Sequence, residues 1–124
     1  MKTAKPTIGL SHLRVTLSED FYIGPGRADL LEGIKATGSI AAAGKGMGMS
    51  YKRAWSLVQA LNEGFGAPLV ATSRGGSAQG GAELTAAAHE VLARYRHMQQ
   101  AAGEAIAADV DALRRLMTDR AEDK

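Results

Sequence analysis

The chain contains no cysteine. Disulfides, thiolate metal sites and cysteine nucleophiles are therefore excluded. No stretch approaches the ~20 consecutive apolar residues needed to span a bilayer. The opening residues, MKTAKPTIGLSHLR, have no apolar segment of the secretory type, so a cytoplasmic protein with no membrane partner is expected. Acids are scarce in the middle of the chain. From Gly33 to Ala82, Lys35, Lys45, Lys52, Arg53 and Arg74 stand against the single acid Glu63. Catalytic groupings are missing as well. No Lys-Ser or Lys-Thr follows the glycines between Gly75 and Gly81, which argues against a phosphate loop. His12, His89 and His97 do not have the i,i+4 spacing of a metal pair. Nothing arranges a Ser-His-Asp triad or paired carboxylates. An enzyme is not expected, and no metal is assigned.

What is present suits one small domain: 124 residues, of which 45% are hydrophobic. From His12 to Leu17 the residues alternate, placing Leu13, Val15 and Leu17 on one side, and Phe21 and Ile23 alternate again. That period of two predicts a short hairpin. Gly24-Pro25-Gly26 then opens a helix to Thr37 with Leu30, Leu31 and Ile34 at helical spacing and Gly38 as its stop. Ser39 caps a second, short helix through Lys45, whose Ala41, Ala42 and Ala43 are small enough for another helix to approach. Gly46 and Gly48 bracket a turn that aims Met47 and Met49 inward.

Ser50 caps a third helix to about Asn62, with Ala54, Leu57, Val58 and Leu61 on one face. Lys52, Ser56 and Gln59 lie nearly opposite, and Arg53 and Trp55 occupy the flanks. For Trp55 the pattern leaves core packing and a DNA-side contact equally open. Pro68 to Thr72 reads as a strand, Arg74 to Gly81 as a flexible tip, and Ala82 to Leu84 as the return strand. Thr85 caps a last helix to Met117, a length of roughly 45–50 Å that exceeds what so small a domain can cover. Its apolar residues Ala88, Leu92, Tyr95, Met98, Ala102, Ile106, Val110, Leu113 and Met117 recur at three- and four-residue steps, with Gly103 as a possible kink. An uncovered stripe from Leu92 to Met117 predicts a partner helix from a second copy of the chain.

The expected fold is mainly α with small β hairpins: a winged helix-turn-helix with an N-terminal β-hairpin and a long C-terminal dimerisation helix. Residues 1–84 form the DNA-binding domain and 85–124 the dimerisation helix with its frayed tail. In such a motif the second helix of the pair enters the major groove. Lys52 and Arg53 then contact phosphates at a helix start, where backbone N–H groups also favour anions. Ser50 and Tyr51 donate to phosphate, and Ser56 and Gln59 are placed to read base edges. Lys45, Trp55, Arg74 and Gln79 complete the candidate DNA-binding set. The partners implied are a second copy and double-stranded DNA with an inverted-repeat site.

The run from Gly38 to Ser50, GSIAAAGKGMGMS, continuing to Pro68-Leu69-Val70, resembles the winged-helix half of LysR-type transcriptional regulators. Within that group Met49-Ser50-Tyr51-Lys52-Arg53-Ala54-Trp55, then Asn62 and the Arg74-to-Gly81 wing, resemble the N-terminal domain of ModE-type molybdate-responsive regulators. The resemblance covers about Leu13 to Tyr95. It implies a third helix that reads the major groove, a wing on the backbone or minor groove, and a dimer supported by the last helix. The family's wing usually carries a lysine, whereas here Arg74 is its cation and Gln79 sits near the tip. Molybdate binding in that family belongs to separate C-terminal domains, and only seven residues follow Met117. DNA binding carries over, molybdate as a cofactor does not, and a separately encoded sensor is a possible partner. Competing readings are a small-ligand or oxyanion-binding protein, or a protein-interaction module, on the same scaffold.

Overall fold

The computed structural model describes residues 8–73 and 81–122. Arg74 and Gln79, the two candidate wing contacts, lie outside the described residues. The elements run β1 (Val15–Ser18), β2 (Phe21–Ile23), α1 (Pro25–Thr37), α2 (Ile40–Gly46), α3 (Tyr51–Phe65), β3 (Val70–Ser73), β4 (Gly81–Leu84) and α4 (Ala86–Glu122). Two antiparallel hairpins, β1–β2 and β3–β4, flank the three-helix unit in sequence.

Local chemistry sets most of these boundaries. α1 ends where Gly38 adopts φ 73° and donates its N–H to Ile34 O, a left-handed stop that glycine enters without a Cβ penalty. The Ser39 hydroxyl accepts from Ala42 N at 3.0 Å and opens α2. The Ser50 hydroxyl accepts from Arg53 N at 3.1 Å and opens α3. Between them, Met47 N and Met49 N both donate to Gly44 O at 3.0 Å, and Met47 and Met49 pack against the core. α3 continues to Phe65, beyond the expected Asn62, and stops at Gly66. Thr85 caps α4 by accepting from Ala88 N at 3.2 Å.

The core gathers Leu30, Leu31 and Ile34 from α1 and Ala54, Val58 and Leu61 from α3 with Leu69, Val70 and Leu84 of the wing base. Leu57, expected on the buried face, is only half-buried. Small residues bring the helices together. A Cβ on Gly44 would stand 2.8 Å from the Ala54 Cβ, and one on Gly33 would stand 3.0 Å from the Ala43 Cβ. Of the three alanines read as a close-approach face, Ala43 alone is buried, while Ala41 and Ala42 are exposed.

The first hairpin departs from strict alternation. Its register passes from Thr16↔Tyr22 to Ser18↔Phe21, so Leu17 is the extra residue of a bulge and turns outward at 49% exposure. Expected on the buried side, Leu17 is not there. The second hairpin is regular from Val70↔Leu84 to Ser73↔Gly81. It is tied to the helices on both sides: Ala82 N donates to Gly38 O at 2.9 Å, and Asn62 Oδ1 accepts from Leu69 N at 2.8 Å.

α4 runs as one helix through Gly103. Its apolar stripe divides. Leu92 and Tyr95, assigned from the sequence to dimerisation, belong to the protein's own core. The correction has a plain cause: the first three turns of α4 lie against the domain, which consumes that part of the stripe before any partner can use it. The Tyr95 hydroxyl donates to Leu13 O at 2.6 Å. Among the described residues, Met98 is the last hydrophobic α4 side chain that packs on the core. Beyond it, Ala102, Ile106 and Val110 are half-buried, and Leu113, Leu116 and Met117 are 63%, 56% and 71% exposed.

Candidate nucleic-acid interface

The α2–turn–α3 unit presents two adjoining surfaces. The first is the outer ridge of α3. Burial of Ala54, Val58 and Leu61 fixes the rotation of the helix, so Lys52, Ser56 and Gln59 come out exposed on the far side. Arg53 is exposed as well, on the flank away from Trp55. None of Lys45, Lys52 and Arg53 forms an ion pair with a described residue. No acid lies in the first turn of α3. Cations, open backbone N–H groups and a positive helix end therefore add to one field there.

The second surface is an open groove of about 980 Å³ between α2, α3 and the base of the wing. Lys45, Tyr51 and Trp55 line it together with Thr37, Ser39, Ala41, Thr72 and Ser73. Tyr51 is 58% exposed and Trp55 37%. Trp55 therefore sits neither in the core nor on the outer ridge, but in the groove. Its position follows from spacing: one turn beyond Tyr51, it stays on the flank that the wing base overlooks.

The structure thus brings Lys45, Tyr51 and Trp55 together and sets Lys52, Ser56 and Gln59 beside them on the ridge. Ser50, exposed at the helix start, accepts the Arg53 N–H through its oxygen, which leaves its O–H proton available to an acceptor. Sequence reasoning missed Thr37, Ser39, Thr72 and Ser73 as lining residues. Ser39 carried a signal, since a capping serine at the start of the helix before the turn faces the same side as the turn. Thr72 and Ser73 carried none: their place depends on how β3 is held, through the Asn62–Leu69 bond, seven or more residues from the helix they face. The groove's lining is hydroxyl-rich and carries no carboxylate among the described residues, which suits an acceptor-rich, anionic ligand.

Comparison with known proteins agrees with this geometry. The model of the bacterial regulatory helix-turn-helix protein, lysR family, matches residues 28–89, half of the chain. Molybdenum-pterin-binding protein MopB of Rhodobacter capsulatus is 48% identical over 73 residues, 59% of this chain and 27% of that protein. Transcriptional regulator ModE of Haemophilus influenzae is 37% identical over 83 residues, 67% of this chain and 32% of that protein. DNA-binding transcriptional dual regulator ModE of Escherichia coli K12 is 33% identical over 103 residues, 82% of this chain and 39% of that protein. The chain spans less than two-fifths of the length of each of these relatives. Among solved structures, the CbnR DBD–DNA complex matches with a TM-score of 0.55 and 27% identity, covering 71% of this chain and 95% of that one.

Proposed function

Because the chain belongs to the lysR family of bacterial regulatory helix-turn-helix proteins, we propose that it is a sequence-specific transcriptional regulator of double-stranded DNA. α3 enters the major groove with Lys52 and Arg53 on phosphates and Ser56 and Gln59 toward base edges. Lys45, Ser50, Tyr51 and Trp55 follow the adjoining strand, and the wing meets the backbone or minor groove. The observation that carries this reading is the rotation of α3: Ala54, Val58 and Leu61 are buried, and Lys52, Ser56 and Gln59 on the opposite side are exposed. A solved DNA complex among the similar structures supports it.

From Met98, at the edge of the core, the stripe of α4 continues beyond the domain through Ala102, Ile106, Val110, Leu113 and Met117. In this reading they pair with the same face of a second copy, and the preferred operator is an inverted repeat with half-sites roughly 10 bp apart or a multiple of it. Among the described residues no helix is long and apolar enough to cross a membrane, and the regulator works in the cytoplasm with no catalytic role. Molybdate has no part in the contacts proposed for this interface.

The test is selection of bound sequences from a random duplex pool, followed by titrations of Lys52→Ala and Arg53→Ala across salt concentrations. Each variant should weaken binding and flatten the log–log salt dependence by about one unit for each phosphate it no longer neutralises. No enriched sequence, or slopes identical to the parent in both variants, would remove the proposed orientation. Affinity with and without molybdate should be equal.

A further inference from the structure

We propose that Arg96 is a positioning residue that sets the direction in which α4 leaves the domain, and thereby the half-site spacing that a dimer accepts. This inference rests on the DNA-binding dimer reading above. Tyr95 and Arg96 are consecutive, yet they are anchored to two different elements. The Tyr95 hydroxyl reaches Leu13 O, before β1, at 2.6 Å. Arg96 reaches α1 instead: its Nη2 donates to Asp29 Oδ1 at 2.9 Å, and its Nε and Nη2 both donate to Glu32 Oε1 at 3.4 Å. A third acceptor, Gln99 Oε1, lies 2.9 Å from Nη1 and splints the guanidinium against its own helix.

The arrangement is directional where the apolar part of the α4 contact is not. Ala88, Leu92 and Tyr95 hold α4 to the core by apolar burial, which is non-directional and tolerates roll and tilt. A planar guanidinium gripped by two carboxylates and an amide tolerates neither. The three acceptors leave the Arg96 side chain 35% exposed and the two carboxylates 53% and 48%. Exposed ion pairs of this kind contribute little to stability, so removing the cluster should leave the fold intact.

The lever is long. From Arg96 to Met117 the helix extends about 32 Å, and of its described hydrophobic residues only Met98 still packs on the core. A swing of about 10° at the lock displaces the far end by about 5–6 Å, more than one base-pair step of ~3.4 Å. The second domain of a dimer hangs on that far end, so the lock decides which operator spacings both recognition helices can reach together.

The test uses the full chain as Arg96→Met and as the near-isosteric pair Asp29→Asn with Glu32→Gln. Three quantities are measured: solution mass, affinity for a single half-site, and affinity for inverted repeats whose separation varies in one-base-pair steps. Both variants should remain dimers and keep half-site affinity within about twofold. Their preference for the best spacing over its neighbours should fall at least about fivefold. The charge swap Asp29→Arg with Arg96→Asp should recover part of the original sharpness. A parent dimer with a sharp spacing profile that both variants retain overturns the inference alone. Equal loss of half-site affinity in both variants also overturns it, because Arg96 would then support the fold or the DNA contact. A parent chain that is monomeric, or that selects no inverted repeat, overturns the dimer reading and this inference with it.

Discussion

Trp55 shows how much a single side chain depends on its neighbours. It lies one turn after Tyr51, on the flank of a helix whose buried face is set by Ala54, Val58 and Leu61. The helical pattern places it between inside and outside, and only the placement of the wing base across from that flank turns the position into the wall of a groove. As the single tryptophan of the chain, it reports on that groove directly. Binding of a duplex there covers an indole that is 37% exposed and stacks or packs against it. Its emission should therefore shift to shorter wavelength or quench in step with occupancy. A titration to saturation with unchanged emission would place the duplex elsewhere.

At the level of elements, the glycines separate into those that seat a neighbour and those that do not. Gly64 lies in α3 directly beneath the Phe21 ring, and a Cβ there would overlap the ring atoms. Phe21 in turn meets Phe65 edge-on at 5.1 Å between ring centres, so the ring has little room to move aside. Gly103 in α4 has nothing within 4 Å of an added Cβ. Helix propensity favours alanine over glycine by about 1 kcal/mol in both helices. At Gly64 the overlap, costing about 1–3 kcal/mol or more, exceeds that gain. Gly64→Ala should lower the midpoint of denaturant unfolding and Gly103→Ala should raise it; equal shifts would mean that Phe21 does not pin the first hairpin to α3. The caps at Ser39, Ser50, Thr85 and Gly38 were legible in the sequence because each acts within four residues of itself. The bulge at Leu17 was not, since it arises from the pairing of β1 with β2 and leaves no mark on the alternation of β1 alone.

For the whole molecule, Tyr95 joins the long helix to the first hairpin, and burial makes that joint sensitive to alkali. Desolvation raises the Tyr95 pKa above its ordinary value of 10.0; Asp29 adds to the rise, and the Arg96 charge and Gln99 oppose it. The neutral phenol is the form the fold favours. Its contribution is complete below pH 10.0, the unfolded value, and is lost as pH rises through the higher folded value. Thermal stability should fall above that pH in the parent and fall less steeply in Tyr95→Phe, which has no proton to lose but starts lower for want of the bond to Leu13. Parallel curves for the two proteins would show that another group governs the alkaline loss.

The order of helices and strands, the turn between α2 and α3, and the open face of α3 were decided by spacing and capping along the chain, because those forces act between residues a turn apart. Which half of the α4 stripe the domain keeps, where Thr72 and Ser73 come to line one groove with Trp55, and how Arg96 finds Asp29 and Glu32 were decided only by tertiary packing. Periodicity marks a residue as apolar on one side, but it carries no information about which surface covers that side. That is settled when elements far apart in sequence compete for the same contact, as the domain did in taking Leu92 and Tyr95 for its own core.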